Sequence, residues 1–292
     1  VLDSEQVAEL AAGKKEVEEL IGVQSIPDPP EIQVPEPFTS AEWEYLTSKF
    51  KEAINSSRRI RHYLPVYEAG RGVEAVILEH VKPGSVIGSD KTKLIPLSEL
   101  SIKFGIRQRV IDYARKMDRP LEISPALYAA VALGSYEDEF LLKGREEDGV
   151  EGLLTTNTAL KESMSSWDVA GSAVEEVSRA VSTLIKAGAM PPFILFLSPG
   201  RYSRLIAVHE RTGVMELNRI KSLVKDVVRL QQLSDNVALL ISTNPCMLDV
   251  VIGADTIIDY LGSEDGVHLF RAWETIALRV KYPKAIMILE QE

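Results

Sequence analysis

The stretch YEDEFLLKGREEDGVEGLL, residues Tyr136–Leu154, carries the strongest fold signal in this chain. It starts as a helix with the acidic run Glu137–Glu139, breaks at Lys143-Gly144, crosses an acidic turn with two further glycines and ends on Leu153-Leu154. Because consecutive carboxylates are spread around a helix axis, the run alone predicts a solvated face. The specific signal is the order of the parts: an acidic helix end, a Lys-Gly stop, an acidic turn and a short apolar run.

The composition of the 292 residues is that of a globular protein, with 45% hydrophobic and 26% charged residues. The net charge of -10 argues against a general nucleic-acid-binding surface, but it leaves a local basic strip open. The single cysteine, Cys246, excludes an internal disulfide framework and fits a reducing compartment. No apolar run approaches the roughly 18 residues of a membrane span. We therefore expect a cytoplasmic protein without a membrane partner.

Two short segments precede the main domain. Residues 1–23 carry apolar positions at helical spacing and predict a helical N-terminal segment. Residues 24–37 contain five of the fifteen prolines and predict a stiff, extended linker. Residues 38–292 then form one large domain.

The domain begins with an amphipathic helix, predicted from Ala41 to about Tyr63. Its end is basic, with Arg58, Arg59 and Arg61 close together. Two interpretations of this basic cluster stay open. It is either favourable charge at the negative end of the helix dipole, or a contact with an acidic partner surface.

Strands and helices both follow, which predicts an α+β fold. Residues 66–112 alternate in the manner of strands, and the runs within 66–106 around a polar, glycine-containing loop predict a long hairpin. Helices are predicted at 120–142 and 168–187, and the buried strand Phe193–Leu197 comes next. The remaining segments are helical at about 200–209 and 217–230, and strands at 237–241, 249–252, 269–273, 276–280 and 285–289.

The sequence offers no recognisable catalytic chemistry. The four histidines are isolated, and none has the HxH, HxxxH or ExxH spacing of a local metal pair. Cys246 has no CxxC partner and predicts a buried structural thiol. Nucleotide-binding and nucleophile-elbow motifs are missing as well. We expect no catalytic residue, no metal ligand and no cofactor in this chain.

Three segments resemble the encapsulins, shell proteins of bacterial and archaeal nanocompartments built on the tailed-phage, Hong Kong 97-type capsid fold. The first is Tyr136–Leu154. The second is Gly266–Glu290, an apolar strand, an aromatic-plus-Glu-Thr turn, an alternating strand, Pro-x-Ala-Ile and a last strand. The third is Thr39–Pro65, similar to the family's N-terminal amphipathic helix. At the N-terminus, Asp3–Gly22 looks like the tail of the ferritin-like segment that is fused to some archaeal shell proteins.

The resemblance implies a shell domain with an axial domain at about 193–262 and an extended loop at about 66–106. The helices 120–142 and 168–187 and the C-terminal strands would form its peripheral domain. Sixty or more copies would assemble around fused or encapsulated cargo. The cargo would be related to iron storage or to oxidative stress, and iron would enter only through a ferritin-like cargo. By position in the fold, the five-fold pore loop would consist of Glu210, Arg211, Thr212, Gly213, Val214 and Met215; an ordinary solvent-exposed loop is the alternative. An apolar interior patch facing the cargo would consist of Phe38, Trp43, Leu46 and Phe50; for these four, plain core packing is the alternative.

Two competing functions stay open. A phage or provirus capsid protein that packages DNA would share the fold; the acidic composition argues against it, and the three arginines at 58–61 argue for it. A soluble α/β enzyme with an unrecognised site would form a monomer or a small oligomer.

Overall fold

The computed structural model describes residues 37–80, 91–207 and 215–291. Six α-helices lie in these residues: α1 Ser40–Ser57, α2 Gln108–Lys116, α3 Ser124–Lys143, α4 Ser172–Lys186, α5 Pro199–Ile206 and α6 Glu216–Ile220. The predicted segment 1–23 and all of the linker except Pro37 lie outside the described residues.

The strands form two main sheets and two small ones. The strands are β1 Val66–Glu68, β2 Ala75–His80, β3 Lys91–Pro96, β4 Ser98–Arg107, β5 Gly144–Arg145, β6 Val150–Glu151, β7 Leu160–Ser163, β8 Phe193–Leu197, β9 Asp226–Arg229, β10 Val237–Ser242, β11 Leu248–Glu264, β12 Val267–Val280 and β13 Ile286–Glu290. One sheet has the order β1-β11-β12-β4, and the other has the order β7-β13-β10-β8-β9. β2 with β3 and β5 with β6 form separate two-stranded sheets.

The four-stranded sheet is covered on one side by α1 and α3. Helix α1 starts with a capping box, in which the Thr39 hydroxyl accepts from the Glu42 amide and the Glu42 carboxylate accepts from the Thr39 amide. Its Leu46, Phe50 and Ile54 are buried in the main core together with residues of α3 and of the sheet. Spacings of four residues place these side chains on one face of the helix, which explains why that face packs inward.

The five-stranded sheet is buried on both faces. Ile194 and Phe196 belong to the main core, whereas Leu195 and Leu197 belong to a second core that also contains residues of α4. Successive strand residues point to opposite faces, so both faces of β8 need apolar side chains. This is why Phe193–Leu197 is a continuous apolar run and not an alternating one.

The predicted hairpin over 66–106 is too long. Only β2 and β3 pair with each other, from Ala75 opposite Pro96 to His80 opposite Lys91. β4 pairs instead with β12, and β1 pairs in parallel with β11. Alternation reports that one face of a strand is buried, but it does not identify the partner strand.

Several other segments differ from the prediction. The segment 217–230 is the short helix α6 followed by the strand β9, and α2 lies in a region that was predicted to be extended. The predicted strands 269–273 and 276–280 are one strand, β12. Helix α4, expected in the peripheral domain, packs in the core of the five-stranded sheet, which also contains β13 and β7 from outside 193–262. Strand β11 lies mostly within the predicted axial domain, 193–262, but it belongs to the four-stranded sheet.

Candidate assembly surfaces

The stretch Tyr136–Leu154 forms a tight connection at the end of α3. Gly144 has a φ of 72°, and a Cβ atom there would collide with the backbone of Val150 and Gly152. The amides of Leu153 and Leu154 donate to the carbonyls of Leu141 and Leu142 at 2.9 and 2.8 Å. These bonds satisfy carbonyl groups that a helix end normally leaves without partners. The glycines after α3 therefore allow the chain to turn back and pack directly against the end of that helix.

The acidic run at the end of α3 is not a solvated face. Glu137 and Asp138 are fully buried, and only Glu139 is exposed, where it pairs with Lys143 at 2.7 Å. The prediction was wrong for two of the three carboxylates. Buried carboxylates need ionic or hydrogen-bonding partners, and the partners come from distant parts of the chain.

Glu137 is held by the arginines at the end of α1. Arg61 donates from Nε to Glu137 Oε1 at 2.8 Å, and Arg58 Nη1 donates to Glu137 Oε2 at 3.3 Å. Arg61 also donates from Nη2 to Glu274 Oε2 at 3.0 Å and from Nη1 to Asp255 Oδ1 at 2.8 Å. We call these residues the charge cluster: Arg58, Arg61, Glu137, Glu274 and Asp255. It joins α1, α3, β11 and β12.

Burial and the neighbouring Glu137 carboxylate raise the pKa of Glu274 to about 8. The buried Oε1 atom of Glu274 has no hydrogen-bond partner among the described residues. A carboxyl group beside another carboxylate in a dry site favours its protonated form. The cluster thus holds two buried carboxyl groups and two guanidinium groups, with one carboxyl protonated near neutral pH.

Asp138 performs a different task. Its carboxylate accepts from the backbone amides of Arg59 and Ile60 at 2.9 and 2.8 Å. Burial raises the pKa of Asp138 to about 7, although these amide bonds oppose the shift. The two amides follow the last residue of α1, so Asp138 fixes the direction in which the chain leaves that helix.

The basic cluster at 58–61 therefore splits in two. Arg58 is buried, Arg61 is partly buried, both are paired within the chain, and only Arg59 of the three is exposed. Neither interpretation from the sequence describes Arg58 and Arg61, because their carboxylate partners lie inside the same chain. They are not available for phosphate contacts, which removes the sequence feature that favoured a DNA-packaging capsid.

The hairpin β2–β3 has a buried face and an exposed apolar face. Val76, Leu78 and Ile95 pack with Val251 and Ala277. On the other face, Ile77 lies opposite Leu94, and these two side chains are 59% and 65% exposed. The sequence predicts a hairpin here, but the prediction did not include this exposed pair. The pair could have been found from strand alternation, because Ile77 and Leu94 are adjacent in sequence to residues that point to the buried face.

The four residues predicted as an interior patch lie in or against the main core. Phe38, Leu46 and Phe50 are buried, and Trp43 is partly buried against them. The Phe38 ring stacks on Phe270 at 5.2 Å, and Trp43 meets Phe38 edge-on at 5.4 Å. The prediction of an exposed patch was wrong for the three buried residues, and core packing explains all four.

Most of the predicted pore loop, Glu210–Val214, lies outside the described residues. Met215 is described and directly precedes α6. Within the described ranges, no group of three or more His, Cys, Asp or Glu side chains is arranged to hold a metal ion. None of the helices described here combines the length and the apolarity that crossing a bilayer requires. Cys246, expected to be buried, is exposed.

The family described as encapsulating protein for peroxidase matches residues 35–277 of this chain. The chain is 30% identical over 269 residues to the type 1 encapsulin shell protein EncA of Myxococcus xanthus, a match that covers 87% of this chain and 94% of the relative. The chain belongs to the encapsulin family of shell proteins. The predicted family is thereby confirmed.

Other relatives of this encapsulin-family chain carry additional domains or form particles. It is 28% identical over 291 residues to a ferritin-like-encapsulin shell fusion protein of Pyrococcus furiosus, covering 99% of this chain and 79% of that protein. The crystal structure of a virus-like particle from Pyrococcus furiosus superposes with a TM-score of 0.73 at 26% identity, covering 85% and 99% of the two chains. The capsid of the myovirus XM1 superposes with a TM-score of 0.60 at 12% identity, covering 79% and 90%. The predicted Hong Kong 97-type fold is confirmed.

Proposed function

We propose that this chain is the subunit of a closed, cytoplasmic, icosahedral container that encloses cargo and performs no catalysis itself. The observation that carries the proposal is the exposed apolar pair on the hairpin β2–β3. A two-stranded hairpin is marginal in water, and a large apolar pair on its outer face adds a solvation cost. Contact with another copy removes both costs, so the hairpin is explained by assembly and not by the folding of a single chain.

The comparisons support assembly from a second direction. The relatives are named as shell proteins, and the structure with a TM-score of 0.73 is a virus-like particle. The test is size-exclusion chromatography with negative-stain microscopy on the purified protein. Closed shells a few tens of nanometres across are the expected result. A species of one to six subunits would contradict the container function.

The cargo is proposed to be iron-related and to be attached through the N-terminal segment. Support comes from the fusion protein of Pyrococcus furiosus, whose name includes a ferritin-like part. A linker of about 14 residues spans about 40 Å when it is extended as polyproline II, and such a tether raises the effective concentration of cargo at the shell.

Two measurements test the cargo proposal separately from the shell. Purified particles are loaded with ferrous iron in air and analysed for retained iron by elemental analysis. A protease then tests whether residues 1–37 are protected in intact particles and cut in dissociated ones. Iron retention with protection is expected. An N-terminus that is cut equally in both states would contradict an enclosed segment.

A further inference from the structure

One end of the four-stranded sheet carries opposite charges side by side. The acidic side consists of Glu264 and Asp265, in the turn between β11 and β12, and both residues are exposed. The basic side consists of four exposed residues in and around α2: Arg107, Arg109, Lys116 and Arg119. We call these two groups the acidic turn and the basic helix.

The two groups are neighbours within one chain but do not neutralise each other. The Gln108 amide, at the start of α2, donates to the Gly266 carbonyl at 2.8 Å. Yet none of the six charged side chains has an ion pair with another described residue. By contrast, Arg115 on the same helix pairs with Glu42 at 2.7 Å. Complementary charges thus face solvent at the same end of the sheet.

Both groups are held rigidly. Asp265 and Gly266 have positive φ values of 49° and 72°, which is the geometry of a two-residue Asp-Gly hairpin turn. His268 Nε2 contacts Gln108 Oε1, and His268 Nδ1 lies 2.9 Å from the Tyr260 hydroxyl. These contacts connect His268 on β12 to Tyr260 on β11 and to Gln108, the first residue of α2. The separation of the two groups is therefore fixed in each chain.

Apolar residues accompany the charges on both sides. Arg109, Tyr113 and Lys116 follow a spacing of four and three and lie on one face of α2. Tyr113 is 58% exposed, and Met117 continues the helix end with 49% exposure. Leu261 lies shortly before the acidic turn and is also exposed. The acid on this helix, Asp112, accepts from Gln108 Nε2 at 2.8 Å.

We propose that the acidic turn of one copy binds the basic helix of the next copy around a symmetry axis of the shell. The proposal rests on the proposed container function and names a specific contact within it. A contact between two different patches closes into a ring when the rotation between copies closes. Two complementary patches at the same end of one sheet provide such a contact, because each copy can present its acidic turn to one neighbour and its basic helix to the other.

Three variants test the contact. The turn variant is Glu264→Lys with Asp265→Asn. Asn is used at position 265 because that residue has a left-handed backbone, which Asn tolerates better than Lys. The helix variant is Arg109→Glu with Lys116→Glu, and the third chain combines all four changes. Assembly is followed by light scattering over a series of samples of increasing subunit concentration. Circular dichroism checks that each variant is folded.

The turn variant and the helix variant should each need about tenfold more subunit to assemble, because the first places a cation against the basic helix and the second replaces two of its four cations by carboxylates. The combined chain should recover part of this loss, because the lysine placed at position 264 can pair with the carboxylates placed at positions 109 and 116. Particles of wild-type yield from either partial variant would overturn the contact. A combined chain that assembles worse than both partial variants would overturn it as well.

A crosslink gives an independent readout that does not depend on charge repulsion. The chain Glu264→Cys with Lys116→Cys, in a Cys246→Ser background, is oxidised after assembly. Lys116 lies eight residues beyond Gln108, about 12 Å along the helix, so the two cysteines of one chain are too far apart to bridge. A ladder of covalent oligomers on a non-reducing gel is expected. Monomers only, in assembled particles, would overturn the contact while the container function stands.

Discussion

Ile77 lies directly opposite Leu94 across the hairpin β2–β3, and both apolar side chains face solvent in the single chain. Their neighbours Val76 and Ile95 point the other way and pack with Val251. One hairpin therefore has a face that folds with its own chain and a face without a covering element among the described residues.

The variant Ile77→Ser with Leu94→Ser should assemble poorly but remain folded. Truncating a buried apolar anchor of an interface typically weakens the contact by about tenfold or more, whereas an exposed residue contributes little to the fold. Size-exclusion chromatography measures the ratio of particle to free subunit.

Thr92→Ala is the matched control, because Thr92 is exposed on the same face of β3 and is polar. Its particle yield should equal that of the wild type. If the Ser variant also forms particles in full yield, the hairpin face is not a contact between copies.

The charge cluster predicts a large stability effect at Arg61. Arg61→Met should lower the free energy of unfolding by about 3–5 kcal/mol, because it leaves the buried Glu137 and Glu274 with Arg58 as their remaining cation. Denaturant unfolding, followed by tryptophan fluorescence, measures the change. Arg59→Met is the control, since Arg59 is exposed and its hydrogen bond to Asp138 comes from a backbone amide that the substitution keeps; its effect should stay within about 0.5 kcal/mol. Equal effects of the two variants would contradict the internal role of Arg61.

The raised pKa of Glu274 predicts a pH dependence with a definite sign. The folded chain keeps a proton on Glu274 up to about pH 8, whereas the ordinary value is 4.5. Between these values the folded state binds more protons than the unfolded state, so this group's contribution to stability falls as pH rises. Glu274→Gln should therefore stabilise the chain relative to the wild type by about 1–3 kcal/mol at pH 9 and change little at pH 5.

Unfolding midpoints in urea at pH 5 and pH 9 test this difference. Glu139→Gln is the matched control, because Glu139 belongs to the same acidic run but is exposed and paired with Lys143. Its effect should be small at both pH values. A Glu274→Gln variant that is less stable than the wild type at pH 9 would show that Glu274 acts as a needed anion.

Part of this structure could be predicted from the sequence, because it depends on local order. The helix with its stop at Gly144 and the capping box at Thr39 are formed by residues close together in the chain. The burial of Glu137 could not be predicted, because its partner Arg61 is 76 residues away and the neighbouring Glu274 lies on the distant strand β12. The error at Leu46 and Phe50 has a different cause. An apolar helix face has the same pattern whether it packs in a core or binds a partner.

The two glycines of the connection after α3 predict different costs. Gly144 and Gly149 both have positive φ values, 72° and 68°. An added Cβ at Gly149 meets nothing within 4 Å, whereas at Gly144 it meets the backbone of Val150 and Glu151. Gly149→Ala should therefore cost only the left-handed strain, about 1 kcal/mol. Gly144→Ala should cost about 3 kcal/mol, since Gly144 has a φ of 72° with a ψ of -165°, a backbone region that only glycine adopts readily, and a backbone collision adds to that strain.

Denaturant unfolding of the two variants compares the costs on one scale. The difference between the two losses reports what position 144 demands beyond left-handed strain, which is the glycine-only backbone together with the close approach of the chain to the end of α3. Assembly should follow stability, so the Gly144→Ala chain should give fewer particles and more aggregate during expression. Equal losses at the two positions would mean that the tight return of the chain after α3 is not what requires glycine at position 144.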